Sequence, residues 1–384
     1  MKGLCSFFAV AILSLTAAAE TVVVLPYFNL TKNKNLDWVG ESFSEALNEA
    51  LGSGGIVAID RDERDEVLRR MTIKRYARLT QGSVMEIAMN LDADTVVWGE
   101  IQAPLAGEVG VVTRVANLRY VKRFPAIEEK GTLEELSVLQ NRTAWRVLET
   151  LAHSTAGSQM DYLAKHPPVR FEALENYTKG LLTAQFDQKH RLFTGAALAD
   201  PSFSLPPYQL GILQFRRKNY RSCADWLQKV TANSSRYRES QFFLGLSQYF
   251  TGHFAEARDA FARVAGEVPL AEVWNNLGAT QLRLNEGDAL KSLTKAMEMD
   301  PSDPAYHFNT GYAYWKQGDY DAAAAQFRAT LDRSPDDQTA TLLLGRCLKK
   351  VGPRPGDLRT EGQERVKTNY DESAWRQLKA VLKQ

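Results

Sequence analysis

Two short stretches of this 384-residue chain have residue types and spacing that could do chemistry. Asp60-Arg61-Asp62 follows an apolar run and has the acid-x-acid spacing of a metal-bound sugar-nucleotide motif. Gly52-Ser53-Gly54-Gly55 has the composition of a loop that cradles phosphate. Each also has a plainer reading. Phosphate loops follow a strand and open a helix, whereas this glycine run closes a helical pattern and opens an apolar one, so it reads as a helix stop. Acidic residues at the start of a helix complement the positive end of its dipole, and Asp60 and Asp62 read that way. His153, His166, His190, His253 and His307 stand singly, without metal-ligand spacing. No Gly-x-Ser-x-Gly or His-Glu-x2-His arrangement occurs. We therefore assign no catalytic residue, cofactor site or metal site, and read the chain as non-enzymatic.

The elements around these stretches carry more information. With 44% apolar and 24% charged residues the composition is that of a folded soluble protein, and the length favours two domains. Formal net charge is +1, which gives no field to draw in nucleic acid or anionic lipid. Residues 1–19 read as a secretory leader: Lys2, an apolar run from Leu4 to Leu15, and Ala17-Ala18-Ala19, with cleavage expected after Ala19. The run is shorter than the ~20 residues a membrane span needs, so no transmembrane segment is expected in the mature chain. Cys5 lies too early to be a lipid-modified cysteine. Cys223 and Cys347 fall in different repeats, several helix layers apart, and are expected to be unpaired packing residues.

From Leu210 onward the chain repeats. Leu210-Gly211, Leu244-Gly245, Leu277-Gly278, Thr310-Gly311 and Leu344-Gly345 place glycines 34, 33, 33 and 34 residues apart. Glycine inside a helix costs about 1 kcal/mol relative to alanine, so five in register imply close helix approach. A second small residue follows in each period (Cys223, Ala257, Ala289, Ala323) and then a bulky one (Leu227, Phe261, Leu293, Phe327). Small residues on the first helix are expected to receive the second helix at short range, and the bulky ones to fill the groove toward the next repeat. Prolines at 269, 301 and 335 stop each second helix. Each period is thus a helical hairpin.

These residues resemble the tetratricopeptide repeat family. Trp274-Asn275-Asn276-Leu277-Gly278 matches the opening of its motif, with Gln281 in place of the tyrosine, and Gly311, Tyr314, Gly318-Asp319-Tyr320, Ala323, Phe327 and Pro335 form the best copy. The array is expected over residues 169–352, as about five hairpins and a final half, followed by a loop and C-terminal capping helix over 353–384. The resemblance implies that the first helix of each hairpin lines a concave groove that holds a peptide or partner segment. Counting from the glycines, that face carries Tyr208, Ile212, Phe215, Phe242, Tyr249, Asn275, Arg283, Phe308, Tyr312, Trp315 and Lys316. Aromatic residues with a few cations are the composition of binding hot spots. The same aromatics could instead be covered by the neighbouring domain or the tail. Asn275 and Arg283 echo the family's carboxylate clamp, but Ala279 breaks it, so no such clamp is expected. Changing Tyr312 and Trp315 to alanine is expected to abolish partner capture without loss of helicity.

Residues 20–152 alternate strand and helix patterns: Thr21–Tyr27, helix Leu36–Leu51, strand Ile56–Asp60, helix Arg61–Met71, helix Ser83–Leu91, strands Thr95–Ile101 and Val109–Leu118, and helix Leu133–Leu151. Val24–Leu30, Trp38-Val39-Gly40-Glu41, Ile59-Asp60-Arg61 and Leu91–Ile101 resemble the exported α/β domain that opens TolB-like proteins and their curli-secretion and flagellar-envelope relatives. This resemblance implies the periplasm or cell envelope of a bacterium and a role in assembly. Residues 153–168, with Gly157 and Pro167-Pro168, are expected to form a hinge. The fold class is therefore two-domain: a small α/β (α+β) N-terminal domain and an all-α tetratricopeptide-type solenoid. The expected function is an exported scaffold that binds protein or peptide partners in the envelope, not nucleic acid. The alternative is an envelope sensor whose α/β domain binds a small ligand or cell-wall fragment and signals through the repeats.

Overall fold

The structure is a computed structural model that describes residues 20–103, 107–152 and 156–381; the leader and residues 153–155 of the expected hinge lie outside the described residues. The N-terminal part is a mixed sheet between two pairs of helices. Strand β1 (Thr21–Val24) pairs in parallel with β3 (Val57–Ala58) on one side and β4 (Thr95–Gln102) on the other, and the short β2 (Phe28–Asn29) also runs parallel to β4. Strand β5 (Glu108–Asn117) is antiparallel to β4, and carries β6 (Lys122–Arg123) and β7 (Ile127–Thr132) on its other edge.

Successive residues of β1 face opposite sides, and both sides are covered, which is why Thr21-Val22-Val23-Val24-Leu25 reads as a continuous apolar run. Val22 and Val24 face α1 (Asp37–Ser53) and α4 (Leu136–Leu151), in a core with Phe43, Leu47, Leu139 and Val147. Val23 and Leu25 face α2 (Arg61–Arg70) and α3 (Gln81–Asn90), through Val67, Val84 and Ile87. Strand β7 was not expected from sequence. Of Ile-Glu-Glu-Lys-Gly-Thr only Ile127 is buried, so this edge strand shows no apolar period. The glycine run 52–55 ends α1, with Gly55 at φ +81°.

The expected hinge is instead largely docked. Ser158 caps α5 (Gln159–Lys165) by accepting from the Asp161 amide, and Tyr162 is buried in the α/β core. Asn141 donates to the His166 carbonyl at 2.8 Å, and Pro167-Pro168 then turn the chain into the array.

Five helical hairpins follow: α6 (Phe171–Leu182) with α7 (Phe186–Ala199), α8 (Leu205–Arg216) with α9 (Tyr220–Leu227), α10 (Tyr237–Phe250) with α11 (Phe254–Glu267), α12 (Ala271–Leu284) with α13 (Ala289–Met299), and α14 (Pro304–Gln317) with α15 (Tyr320–Arg333). A single helix, α16 (Gln338–Leu348), closes the series. The repeat glycines explain the pairing, with one correction. The bulky residue of each second helix packs onto the glycine of its own hairpin, not toward the next repeat. A Cβ at Gly211 would lie 2.3 Å from Leu227, and one at Gly278 2.6 Å from Leu293. Gly345 meets nothing, because α16 has no second helix to receive.

Candidate peptide groove

The concave face is built from α10, α12 and α14, and the chain's own C-terminal segment lies in it. After α16 the chain bends through Gly352-Pro353-Arg354-Pro355-Gly356, then runs extended across the array from the last hairpin back toward the first. Two asparagines hold its backbone. Asn309 donates to the Arg365 carbonyl at 2.7 Å and accepts from the Arg365 amide at 2.8 Å. Asn276, its counterpart one repeat earlier, does the same for Lys367, at 2.8 and 2.7 Å. In an extended chain residues i and i+2 present their backbone groups to the same side, so two carboxamides on successive repeats can grip alternate residues whatever their side chains. Both are fully buried, and without the segment their donors and acceptors would be left without these bonds.

Side chains add selectivity around this backbone grip. The Arg365 guanidinium lies 3.4 Å from the centre of the Phe308 ring and forms a two-point ion pair with Asp337. Lys367 sits over the Tyr306 ring and pairs with Asp303. Glu364 meets Arg283 at 2.8 Å, and burial raises its carboxyl above the usual range despite that partner. Tyr370 stacks on Trp375 and meets Phe242 edge-on, with centroids 4.4 and 4.9 Å apart.

The residues expected to line the groove separate by what they touch. Asn275, Arg283 and Tyr312 touch the segment through hydrogen bonds: Asn275 to the Arg365 carbonyl, Arg283 to the Gly362 carbonyl, and the Tyr312 hydroxyl to the Thr360 carbonyl at 2.7 Å. Phe242 and Phe308 touch it through their rings. Tyr249 lies just behind, accepting from Arg283 at 3.4 Å. Tyr208 and Ile212 line a separate cavity toward the α/β domain. The others serve the array itself. Phe215 packs on Tyr220 and Phe243, and Lys316 donates to the Leu282 carbonyl at the end of α12. Trp315 is fully buried and donates to the Val351 carbonyl, so changing it to alanine is a change to the core. Sequence reading missed Asn276 and Asn309. Their signal was a polar residue two places before the glycine in two consecutive repeats.

The terminal helix α17 (Glu372–Val381) does not cap the end of the array. Trp375 is buried against the apolar cluster around Phe242 and Leu277, and Arg376 reaches across to Glu63 at 3.1 Å and Asp60 at 3.5 Å. Asp60-Arg61-Asp62 is accordingly a junction: Arg61 donates to the Leu181 carbonyl at the end of α6, and Asp62 is exposed. Among the described residues no group of three or more His, Cys, Asp or Glu is placed to hold a metal. Cys223 and Cys347 are free and buried, and burial pushes both thiols up to about 11.

Helical hairpins with a repeat glycine under a bulky residue, stacked to form a groove, define a repeat array of tetratricopeptide type. The tetratricopeptide repeat family profile matches residues 285–338 and 311–348. Protein SGT1 homolog of Bos taurus is 30% identical over 117 residues, which are 30% of this chain and 35% of that protein, so the chain spans about a third of that relative's length. Among solved structures, YrrB, described as a TPR protein with an unusual peptide-binding site, is 20% identical with a TM-score of 0.37, covering 41% of this chain and 82% of its own. MamA from Desulfovibrio magneticus RS-1 is 18% identical with a TM-score of 0.38, covering 44% and 97%. No helix among the described residues is long and apolar enough to cross a membrane.

Proposed function

We propose that this protein is a non-enzymatic scaffold, exported to the periplasm or cell envelope of a bacterium, whose array binds an extended segment of a partner protein along its concave face. The observation that carries this reading is the pair of carboxamide grips at Asn276 and Asn309, which holds an extended chain by its backbone. Aromatic walls and flanking charges then select side chains. The leader-like pattern of residues 1–19 and the resemblance of segments of the α/β domain to TolB-like proteins support the envelope setting.

The test is capture of partners from an envelope fraction by the full chain and by a variant carrying Asn276→Ala and Asn309→Ala. The reading predicts that a defined partner is retained by the wild type and lost by the folded variant. Equal recovery by both would remove the groove from the function.

A specific observation also favours the sensor reading. A cavity of about 330 Å³ lies where the α/β domain, the first hairpins and the tail meet, lined by Glu45, Arg61, Lys189, Arg216, Arg236 and Trp375 among others. A small polar ligand bound there would touch both parts of the molecule. It would raise the melting temperature of the full chain, because a ligand stabilises the state that binds it.

A further inference from the structure

The segment that fills the groove makes contacts of the kind a ligand makes. Its grip is through backbone amides and carbonyls at alternate residues, with charged side chains in separate places on the wall. Arg365 and Lys367 keep about a quarter of their side-chain surface in contact with water, at 28% and 26%. A segment whose only role was to complete the core would bring apolar residues to these positions. It is also tethered by a short bend: α16 ends at Leu348, two prolines and Gly356 (φ +78°) turn the chain, and the first groove contact is at Thr360. Beyond the groove the same segment continues to Arg376, which holds Asp60 and Glu63 at the start of α2.

We propose that residues 360–376 are a resident ligand of the groove, displaced by an extended partner segment of the same chemistry, acid-Arg-x-Lys-x-x-Tyr, and that their departure frees the α/β domain from its Arg376 contact. The pattern follows from the wall. Arg283 takes the acid, Phe308 with Asp337 takes the arginine, Tyr306 with Asp303 takes the lysine, and Phe242 takes the tyrosine. The proposal rests on the reading of the groove as a partner site, and adds to it the partner's pattern and the state of the groove before the partner arrives.

Tethering sets the size of the effect. A short flexible tether holds a ligand at an effective concentration of roughly 1 mM, so a resident segment with an intrinsic Kd of about 10 μM weakens binding of a competing segment about 100-fold while it is in place. The same linkage works in reverse: occupancy by a partner and docking of α17 exclude one another, which couples the groove to the α/β domain about which Arg376 closes.

The test uses the full chain and, as probe, a labelled synthetic peptide of residues 360–371, which carries the groove pattern and lacks Arg376. Replacing Arg365 and Lys367 with alanine in the chain weakens the resident segment and leaves the wall intact. A second variant adds Tyr370→Ala, and circular dichroism with thermal melting checks that each is folded. The expected result is weak binding of the probe to the wild type and up to about 100-fold tighter binding to the variants. That gain should be lost with a scrambled probe or on adding Asn276→Ala and Asn309→Ala. Hydrogen exchange over residues 60–66 should rise when the probe binds the wild type. Equal affinity for wild type and folded variants, or no binding to either, would overturn the resident-ligand proposal. Unchanged exchange over residues 60–66 would overturn the release of the α/β domain. If the variants take up the probe but partner capture is insensitive to Asn276 and Asn309, the proposed function fails and the resident ligand stands. If a partner binds wild type and tail variants equally through those asparagines, the function stands and the resident ligand falls.

Discussion

At the scale of single residues, most of the groove's polar chemistry comes from side chains buried where helix packing alone would favour apolar ones. Asn275, Asn276 and Asn309 are fully buried, and each donates to a backbone carbonyl of the tail, while the Asn275 side-chain oxygen accepts from Asn309. Glu45 is a different case. It faces the junction cavity, 3.8 Å from Arg61, with 15% of its side chain exposed. Burial, and then the charge of Glu41, push its carboxyl up from 4.5 to about 7 against the pull of Arg61 and Arg64. Folding therefore takes up a proton between about pH 4.5 and 7, and the stability this group confers below pH 4.5 is lost as pH rises through that window. Glu45→Gln removes the ionised form, so the variant should match the wild type near pH 4 and exceed it by about 1–3 kcal/mol near pH 8, as measured by urea unfolding at both pH values. A variant less stable than the wild type at pH 8 would mean that the Arg61 pair outweighs the burial. Sequence could place Glu45 on α1 one turn after Glu41, but not opposite Arg61, because that proximity depends on how α1 meets α2.

At the scale of elements, the repeat was the most legible feature because its cause is local to each hairpin. A glycine with a bulky residue opposite it recurs wherever a second helix follows, and the open space beside Gly345 shows the rule by its exception. The α/β part was legible where both faces of a strand are covered, as in β1, and silent at β7, where one buried residue of six leaves no period. Residues 158–166 read as a hinge because polar and small residues dominate them, yet one tyrosine and one asparagine contact dock them. Close approach within the α/β part can be tested at Gly40. A Cβ there would lie 2.0 Å from the Tyr27 carbonyl oxygen, a backbone atom that cannot turn away, and Gly40 itself accepts from the Tyr27 amide. Gly40→Ala should cost at least about 3 kcal/mol of unfolding free energy, at the upper end of overpacking effects. Gly52→Ala, with nothing within 4 Å, should be neutral or mildly stabilising, and serves as the control in the same denaturation series.

At the scale of the whole molecule, the tail joins what the sequence presents as separate parts. It crosses the faces of α14, α12 and α10 in turn and ends against α2, so the array's groove and the α/β domain share one occupant. The tail could be weighed as a cover for the aromatics, but its path was not legible, since residues 353–371 carry no helical or strand period and their groove partners lie as far back as Phe242, met by Tyr370, and Glu272, met by Asp371. It also changes what the aromatic face means, because Phe242, Phe308 and Tyr312 are already engaged by chain of the kind they are proposed to bind. The most direct measurement is residue-resolved hydrogen exchange of the Arg365 and Lys367 amides in the full-length protein. Both amides donate to buried asparagine side chains, so they should exchange about 100-fold or more slowly than in an unstructured chain, and should lose that protection together in the folded Asn276→Ala, Asn309→Ala variant. Exchange at the unstructured rate in the wild type would contradict a groove that holds extended chain by its backbone.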